Sequence, residues 1–385
     1  MQDFVNKERS DLDKIYVTRP FIPSFDEYAA MLKVLWENKI LTNMGILHNE
    51  LQKKLGDLFN VPYVSLMVNG HMALEIAIQS MKFPRGSEII TSPYTFVSTT
   101  NAIVRSGCKP VFCDIKYDDY TIDETKIEKY ITKKTAAILP VHVYGNICNV
   151  NGIKKIAEAY GLKVIYDAAH AFGEYWEGKS SASFGDISIM SFHATKVFNT
   201  IEGGAVFTES EEINSRIRDL RNFGFRDEEL VVDIGTNAKM NEFSSAMGLC
   251  NLKYLDFIMG ERKKKADYYS SKLKHISVIK IPEYKSDIKY NYGYYPILFK
   301  TDNGFEIRED LYAYLKNFNI YTRKYFYPIT ADQECYGNIY KDADLKTARY
   351  VSQRILLLPL YVELENTSID KICDLIIKRL EEIIK

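Results

Sequence analysis

The chain has 385 residues, enough for one large domain and a smaller one around a substantial core. It is 46% hydrophobic and 26% charged with a formal net charge of -1, so it carries neither a basic field for nucleic acid nor an acidic tail. No apolar run approaches the ~20 residues of a membrane span, and the longest, near Ile355 to Leu360, is broken by Pro359.

The opening stretch MQDFVNKERSDLDK is too polar for a signal peptide, and a cytoplasmic protein is expected. From residue 25 onward the pattern alternates. Apolar residues at helical spacing predict helices over 25–39 and 45–60, a β-rich run follows at 63–68, and helical spacing returns at 71–82. Strands are predicted at 88–92, 109–115, 136–141 and 163–167, with helices at 96–106 and 150–160 between them. Two late strands, 186–192 and 205–208, have a loop and no helix between them. This order is that of an α/β fold with a mostly parallel sheet covered on both faces.

A long helix without internal proline is predicted over 241–275, with Arg262 to Lys265 as a solvated face. Strands at 277–281 and 294–299, a helix at 305–319, an aromatic strand at 320–327 and a last helix at 369–384 then form a smaller α+β unit. The expected division is residues 1–255, an N-terminal arm and large domain, and 256–385, a small C-terminal domain. Six cysteines (108, 113, 148, 250, 335, 373) are scattered without a CxxC pair or a Cys/His cluster, so free thiols and no metal site are expected.

Three features carry chemistry. The first strand-to-helix turn, Val68-Asn69-Gly70-His71, has one glycine and neither GxGxxG nor GxxxxGK[ST], which argues against a dinucleotide or P-loop site. A single glycine at a helix start either exposes N–H groups to one phosphate or marks a plain tight turn. The apolar strand ending in Asp167, before Ala168 and Ala169, places an acid where open α/β sheets bind ligands, although an Asp there also caps the following segment. After the strand ending at Phe192, Lys196 sits in a turn ahead of Gly203-Gly204. A turn lysine out of bulk water suits Schiff-base chemistry, and an ordinary surface lysine is the competing reading. Phosphate turn, acid and lysine in one chain are the three parts a pyridoxal-phosphate (PLP) site needs.

The stretch YDAAHAFG…FGDISIMSFHATKVFNTIEGGAVF resembles the signature of the DegT/StrS nucleotide-sugar aminotransferases, a group of fold-type I PLP enzymes. NGHMALEIAI, SPYTFVSTTNAIV, PVHVYG and GTNAKMNEFSSAMGL extend the resemblance over nearly the whole chain. It implies a seven-stranded-type sheet in a large domain, a small C-terminal domain, PLP as cofactor and a homodimer with shared sites. By position, Lys196 would hold the cofactor aldehyde and Asp167 would face the pyridine nitrogen. His170 would contact the ring hydroxyl, Phe96 would stack on the ring, and Ser191 with the Gly70-His71 backbone would hold the phosphate. Asn237 would reach the phosphate of the neighbouring subunit.

One departure is His71, where the family usually has Ser or Thr. His142 and His193 are expected as core or loop histidines, and Arg323, Tyr325 and Tyr327 as a candidate sugar-pocket wall. The subgroup most resembled takes L-glutamate and a dTDP-4-keto-6-deoxy hexose, in the setting of surface polysaccharides such as O-antigen. Amination at C3 is the nearest rival. Related 3-dehydratases carry histidine where this chain has Lys196, and a non-catalytic relative should have lost Lys196 or Asp167.

Overall fold

The computed structural model describes residues 14–384. The predicted N-terminal arm up to residue 13, with most of the polar opening stretch, lies outside the described residues. Two helices, α1 (Phe25–Asn38) and α2 (Ile46–Phe59), precede the first strand, β1 (Tyr63–Met67). Helix α3 (Gly70–Ser80), β2 (Glu88–Thr91), α4 (Val97–Arg105), β3 (Lys109–Phe112), β4 (Thr135–Leu139), α5 (Val150–Tyr160) and β5 (Lys163–Asp167) follow. A small hairpin, β6 (Tyr175–Trp176) and β7 (Lys179–Ser180), leads to β8 (Ile187–Ser191) and β9 (Gly204–Thr208).

Seven of these strands form one sheet in the spatial order β1-β9-β8-β5-β4-β2-β3. The pairs β2–β3, β2–β4, β4–β5 and β5–β8 are parallel, while β9 is antiparallel to both β8 and β1. Only β9 therefore runs against the others, as the missing helix between the two late strands leads one to expect. The central strands are buried along almost their full length, which is why they read as continuous apolar runs rather than alternating ones.

Beyond the sheet lie α6 (Glu211–Leu220), α7 (Glu242–Leu252) and α8 (Leu255–Leu273). The single helix predicted over 241–275 is thus two. Helix α7 is buried nearly all round, and the chain turns at Lys253 and Tyr254, whose Nζ and hydroxyl bind the Glu27 carboxylate of α1 at 2.7 Å each. Arg262 is not on a solvated face either. It is 2% exposed and donates to the Leu360 carbonyl at 3.0 Å, while Lys263 and Lys264 remain at the surface.

The C-terminal part holds β10 (Ile279–Lys280), β11 (Ile288–Lys289), β12 (Tyr295–Phe299), α9 (Gly304–Lys316), the single turn α10 (Gly337–Tyr340), α11 (Lys346–Arg354), β13 (Ile355–Leu358) and α12 (Asn366–Ile383). Strands β10, β12 and β13 form an antiparallel sheet, and β11 joins the β6–β7 hairpin. Tyr269, Leu311, Leu356 and Ile372 centre a second core. Sequence periodicity leaves out α6, α11 and β13, the last because a short apolar run does not distinguish a strand from a buried helix. The aromatic stretch 320–327 is not a strand. Only Ile320 and Arg323 make isolated bridges, and the Tyr325 carbonyl accepts from the hydroxyls of Tyr94 and Tyr144 instead of a neighbouring strand. Among the described residues all six cysteines are free, and no helix is long and apolar enough to cross a membrane.

The fold brings the β1–α3 turn, the end of β5 and the end of β8 to one edge of the sheet. Gly204 shows how tightly. A Cβ there would lie 2.8 Å from the carbonyl carbon and oxygen of Asn69 in the turn. Gly204→Ala is expected to destabilise the protein by about 1–3 kcal/mol through this overpacking, and a denaturant midpoint unchanged from wild type would contradict the fit.

Candidate active site

Asn69 caps α3, its side chain accepting from Met72 N at 2.8 Å. The first intrahelical bond runs from Ala73 N to Asn69 O, so the N–H groups of Gly70 and His71 precede the helix ladder. Gly70 is pressed against Ser191 at the end of β8: a Cβ on it would lie 2.8 Å from Ser191 Cβ and 3.0 Å from its Oγ. The missing side chain leaves a concave helix start beside a hydroxyl, the form that suits an anion.

At the end of β5 the Asp167 carboxylate is 4% exposed. Oδ2 accepts from Thr99 Oγ1 at 2.7 Å and Oδ1 from Ala169 N at 3.1 Å. The backbone is held from both sides, since Asp167 N donates to Pro140 O and His142 N donates to Asp167 O. Burial pushes this carboxyl above its ordinary range, against the Thr99 and Ala169 hydrogen bonds and the Lys196 charge, which lower it. Among the described residues Asp167 makes no ion pair within 4.0 Å. A buried carboxylate without a cation is costly, and its charge suits a cationic group on a ligand.

Lys196 occupies the turn after β8, its N–H donating to His193 O at 2.9 Å. Nζ donates to the Tyr294 hydroxyl at 3.0 Å. The Tyr294 ring lies 4.6 Å from that of His170, which is 8% exposed. Tyr144 N donates to His170 Nδ1 at 3.0 Å, so that nitrogen is bare and the ring proton belongs on Nε2. Burial, and then the Lys196 charge, hold His170 well below its usual titration range, which keeps the imidazole neutral.

These parts share one cavity of about 510 Å³, lined by Gly70, His71, Phe96, Asp167, His170, Ser191 and Lys196 among others. Phe96, 54% exposed, forms part of its wall. Seven of the eight predicted site residues therefore converge. Asn237 does not: it is exposed, bridges Asn222 and lies outside the cavity of its own chain. Arg323 and Tyr325 line the cavity, but Tyr327 instead turns its ring to the Arg308 guanidinium, 4.4 Å from its centroid. His142 is a core residue, stacked on Tyr166 at 4.8 Å, with burial pushing its pKa down to about 3. His193 sits in the loop and also lines the cavity. Sequence reasoning did not find Ser98, Thr99 or Tyr294. Their roles depend on partners 27, 68 and 98 positions away in the chain, which the stretch SPYTFVSTTNAIV holding Ser98 and Thr99 does not by itself reveal.

A helix-start cradle, a buried acid with no cation and a lysine amine in one cavity fit PLP, whose phosphate, ring nitrogen and aldehyde call for these three groups.

The sequence pattern of the DegT/DnrJ/EryC1/StrS aminotransferase family matches residues 25–377. The chain is 42% identical over 358 residues to the dTDP-4-amino-4,6-dideoxy-D-glucose transaminase of Shigella dysenteriae, covering 93% of this chain and 97% of that one. It is 40% identical over 370 residues to the Escherichia coli protein of the same name, covering 95% and 99%. Among solved structures it is similar to DesI in the presence of its TDP-sugar product, with a TM-score of 0.89 and 29% identity over 94% of this chain and 92% of that one.

The raised Asp167 carboxyl has a pH consequence. With its folded-state pKa above the unfolded value, this group favours the native state at low pH and opposes it increasingly as pH rises through the folded value. In Asp167→Asn, the amide can donate to Thr99 Oγ1 while Thr99 donates on to Thr95 Oγ1, now 2.9 Å away. The cofactor-free variant should therefore melt at or above the wild-type temperature at pH 7, with the gap closing toward pH ~4. Thermal melts over that pH range would contradict the reading if the variant were the less stable protein at pH 7.

Proposed function

This chain belongs to the DegT/DnrJ/EryC1/StrS aminotransferase family, and we propose that within it the enzyme moves the amino group of L-glutamate to C4 of dTDP-4-keto-6-deoxyglucose, giving dTDP-4-amino-4,6-dideoxyglucose. It is a PLP-dependent nucleotide-sugar aminotransferase. The observation that carries the chemistry is the meeting of Asp167, Lys196 and the α3 start in one cavity. The choice of sugar is supported by two relatives of the same name at 40% identity or more over almost the whole chain.

PLP, when bound, supplies an electrophilic carbon for amines and a ring that draws electrons from the adjoining carbon. With PLP bound, Lys196 Nζ would hold its aldehyde carbon and would serve as the general base toward the donor's Cα proton. Tyr294 orients that amine through its hydroxyl. Asp167 would face the ring nitrogen as the carboxylate that favours its protonation, and the neutral His170 would present Nε2–H toward the ring hydroxyl. Phe96 would pack on the ring, while Ser191 and the Gly70-His71 N–H groups would take the phosphate. Arg323 and Tyr325 stand in the cavity wall for the sugar nucleotide.

The same reading includes a homodimer in the cytoplasm. Asn237, exposed and away from its own cavity, is the residue we assign to the partner's phosphate. Exposed Phe25 (81%), Trp36 (69%) and Ile234 (94%) supply apolar surface for a second copy to cover. The division near residue 255 is kept as part of the reading, supported by the turn between α7 and α8 and by the separate core beyond it.

Two experiments test this reading. Purified protein with PLP should show a visible cofactor band that glutamate shifts to the amine form, and Lys196→Ala should lose that band and at least ~10³-fold in turnover. Normal turnover in the variant would sink the assignment. Asn237→Ala should weaken cofactor affinity, and mixing it with Lys196→Ala should restore activity through hybrid dimers with one intact site. Mixtures no more active than their separate components would rule out shared sites.

A further inference from the structure

His71 stands where the family usually has a hydroxyl residue, yet a hydroxyl is still present at that end of the cavity. Ser98, on the first turn of α4, faces the imidazole, with its Oγ 2.8 Å from His71 Nδ1. Both residues line the cavity. The other ring nitrogen, Nε2, lies 3.0 Å from Glu75 Oε1, one turn further along α3. Glu75 is 5% exposed, and the same carboxylate oxygen accepts from Arg105 Nε on α4. A buried, doubly engaged carboxylate thus fixes the imidazole, and the imidazole faces a cavity-wall serine. Across the cavity the other charged or titratable groups in its wall are Asp167, His170, His193, Lys196, Glu202, Arg323 and Tyr325.

We propose that Ser98 is the side-chain hydroxyl donor to the cofactor phosphate, and that His71, anchored by Glu75, is the residue that positions it. This rests on the reading of the α3 start as the phosphate cradle. With Nε2–H given to Glu75, the state of Nδ1 decides where the serine proton points. A bare Nδ1 draws that proton to itself and turns the oxygen lone pairs toward the cavity, which repels an anion. A protonated Nδ1 donates to Oγ and frees the serine proton for the cavity. A phosphate dianion favours the second arrangement, because it gains a donor hydroxyl. Arg105 shares the same Glu75 oxygen, so part of that negative charge is taken up by the guanidinium while the imidazole is still held in place.

The test compares PLP with pyridoxal, which lacks the phosphate, by absorbance titration of the cofactor-free protein. Wild type should prefer PLP strongly. If it binds both equally, the cradle reading itself has failed. Ser98→Ala should weaken PLP roughly tenfold while leaving pyridoxal unchanged, the loss of one charge-assisted hydrogen bond. His71→Ala should do the same, and the double variant should be no worse than the poorer single one, since the two act as one unit. Equal losses for PLP and pyridoxal, additive losses in the double variant, or no loss in Ser98→Ala beside a normal wild-type preference would each overturn the proposal. Circular dichroism checks the helix start in His71→Ala. Should that variant not fold, Ser98→Ala alone decides the outcome.

Discussion

The Asp167 carboxylate is the constraint on which the site depends. A negative charge with 4% exposure and no cation within ion-pair distance is sustained only by donors, and these come from separate parts of the chain: a hydroxyl on α4 and an N–H two residues beyond β5. To deliver them, β5 must lie in the middle of the sheet, and α4 must begin just above its end. The apolar strands on either side remove water from the carboxylate, and the same burial creates its need for a positive partner.

Around this acid the remaining parts come from three strand ends and one distant segment. The aromatic cluster of Tyr94, Tyr144 and Phe326 ties the C-terminal part to the cavity floor, and both tyrosine hydroxyls converge on the Tyr325 carbonyl. Tyr294, just before β12, reaches Lys196 from the same side. The C-terminal part is therefore joined to the Lys196 amine by direct contact, and Tyr325 and Phe326 form one wall of the cavity.

Much of this was legible in advance. Alternating strand and helix patterns foretold a largely parallel sheet, and the helix missing before β9 a mixed region, which the structure resolves as one reversed strand. The order glycine turn, acid and lysine pointed to residues that the fold does bring together. What stayed hidden depends on contacts distant in sequence. Thr99 reads as one hydroxyl in a polar helix turn until β5 is placed beneath it, and Tyr294 reads as one tyrosine among 28. The stretch 320–327 has the composition of a strand, but tertiary hydrogen bonds to its backbone took precedence over propensity. Helix α7 and helix α8 looked continuous because the change of direction between them is imposed by Glu27 on α1, more than 200 positions away.

The pairing of β9 also bears on the order in which the molecule assembles. Ser191 and Gly204 are register partners, so the lysine-bearing loop 192–203 is closed at its base by the antiparallel β8–β9 pair, a contact local in sequence. β1, at the sheet edge, joins only through β9, with Leu66 opposite Ala205, a closure across well over a hundred residues. Loop entropy makes the short closure the cheaper of the two. The hairpin that carries Lys196 is thus the cheaper contact to close, and the β1–α3 turn packs onto its Gly204 only through the longer one.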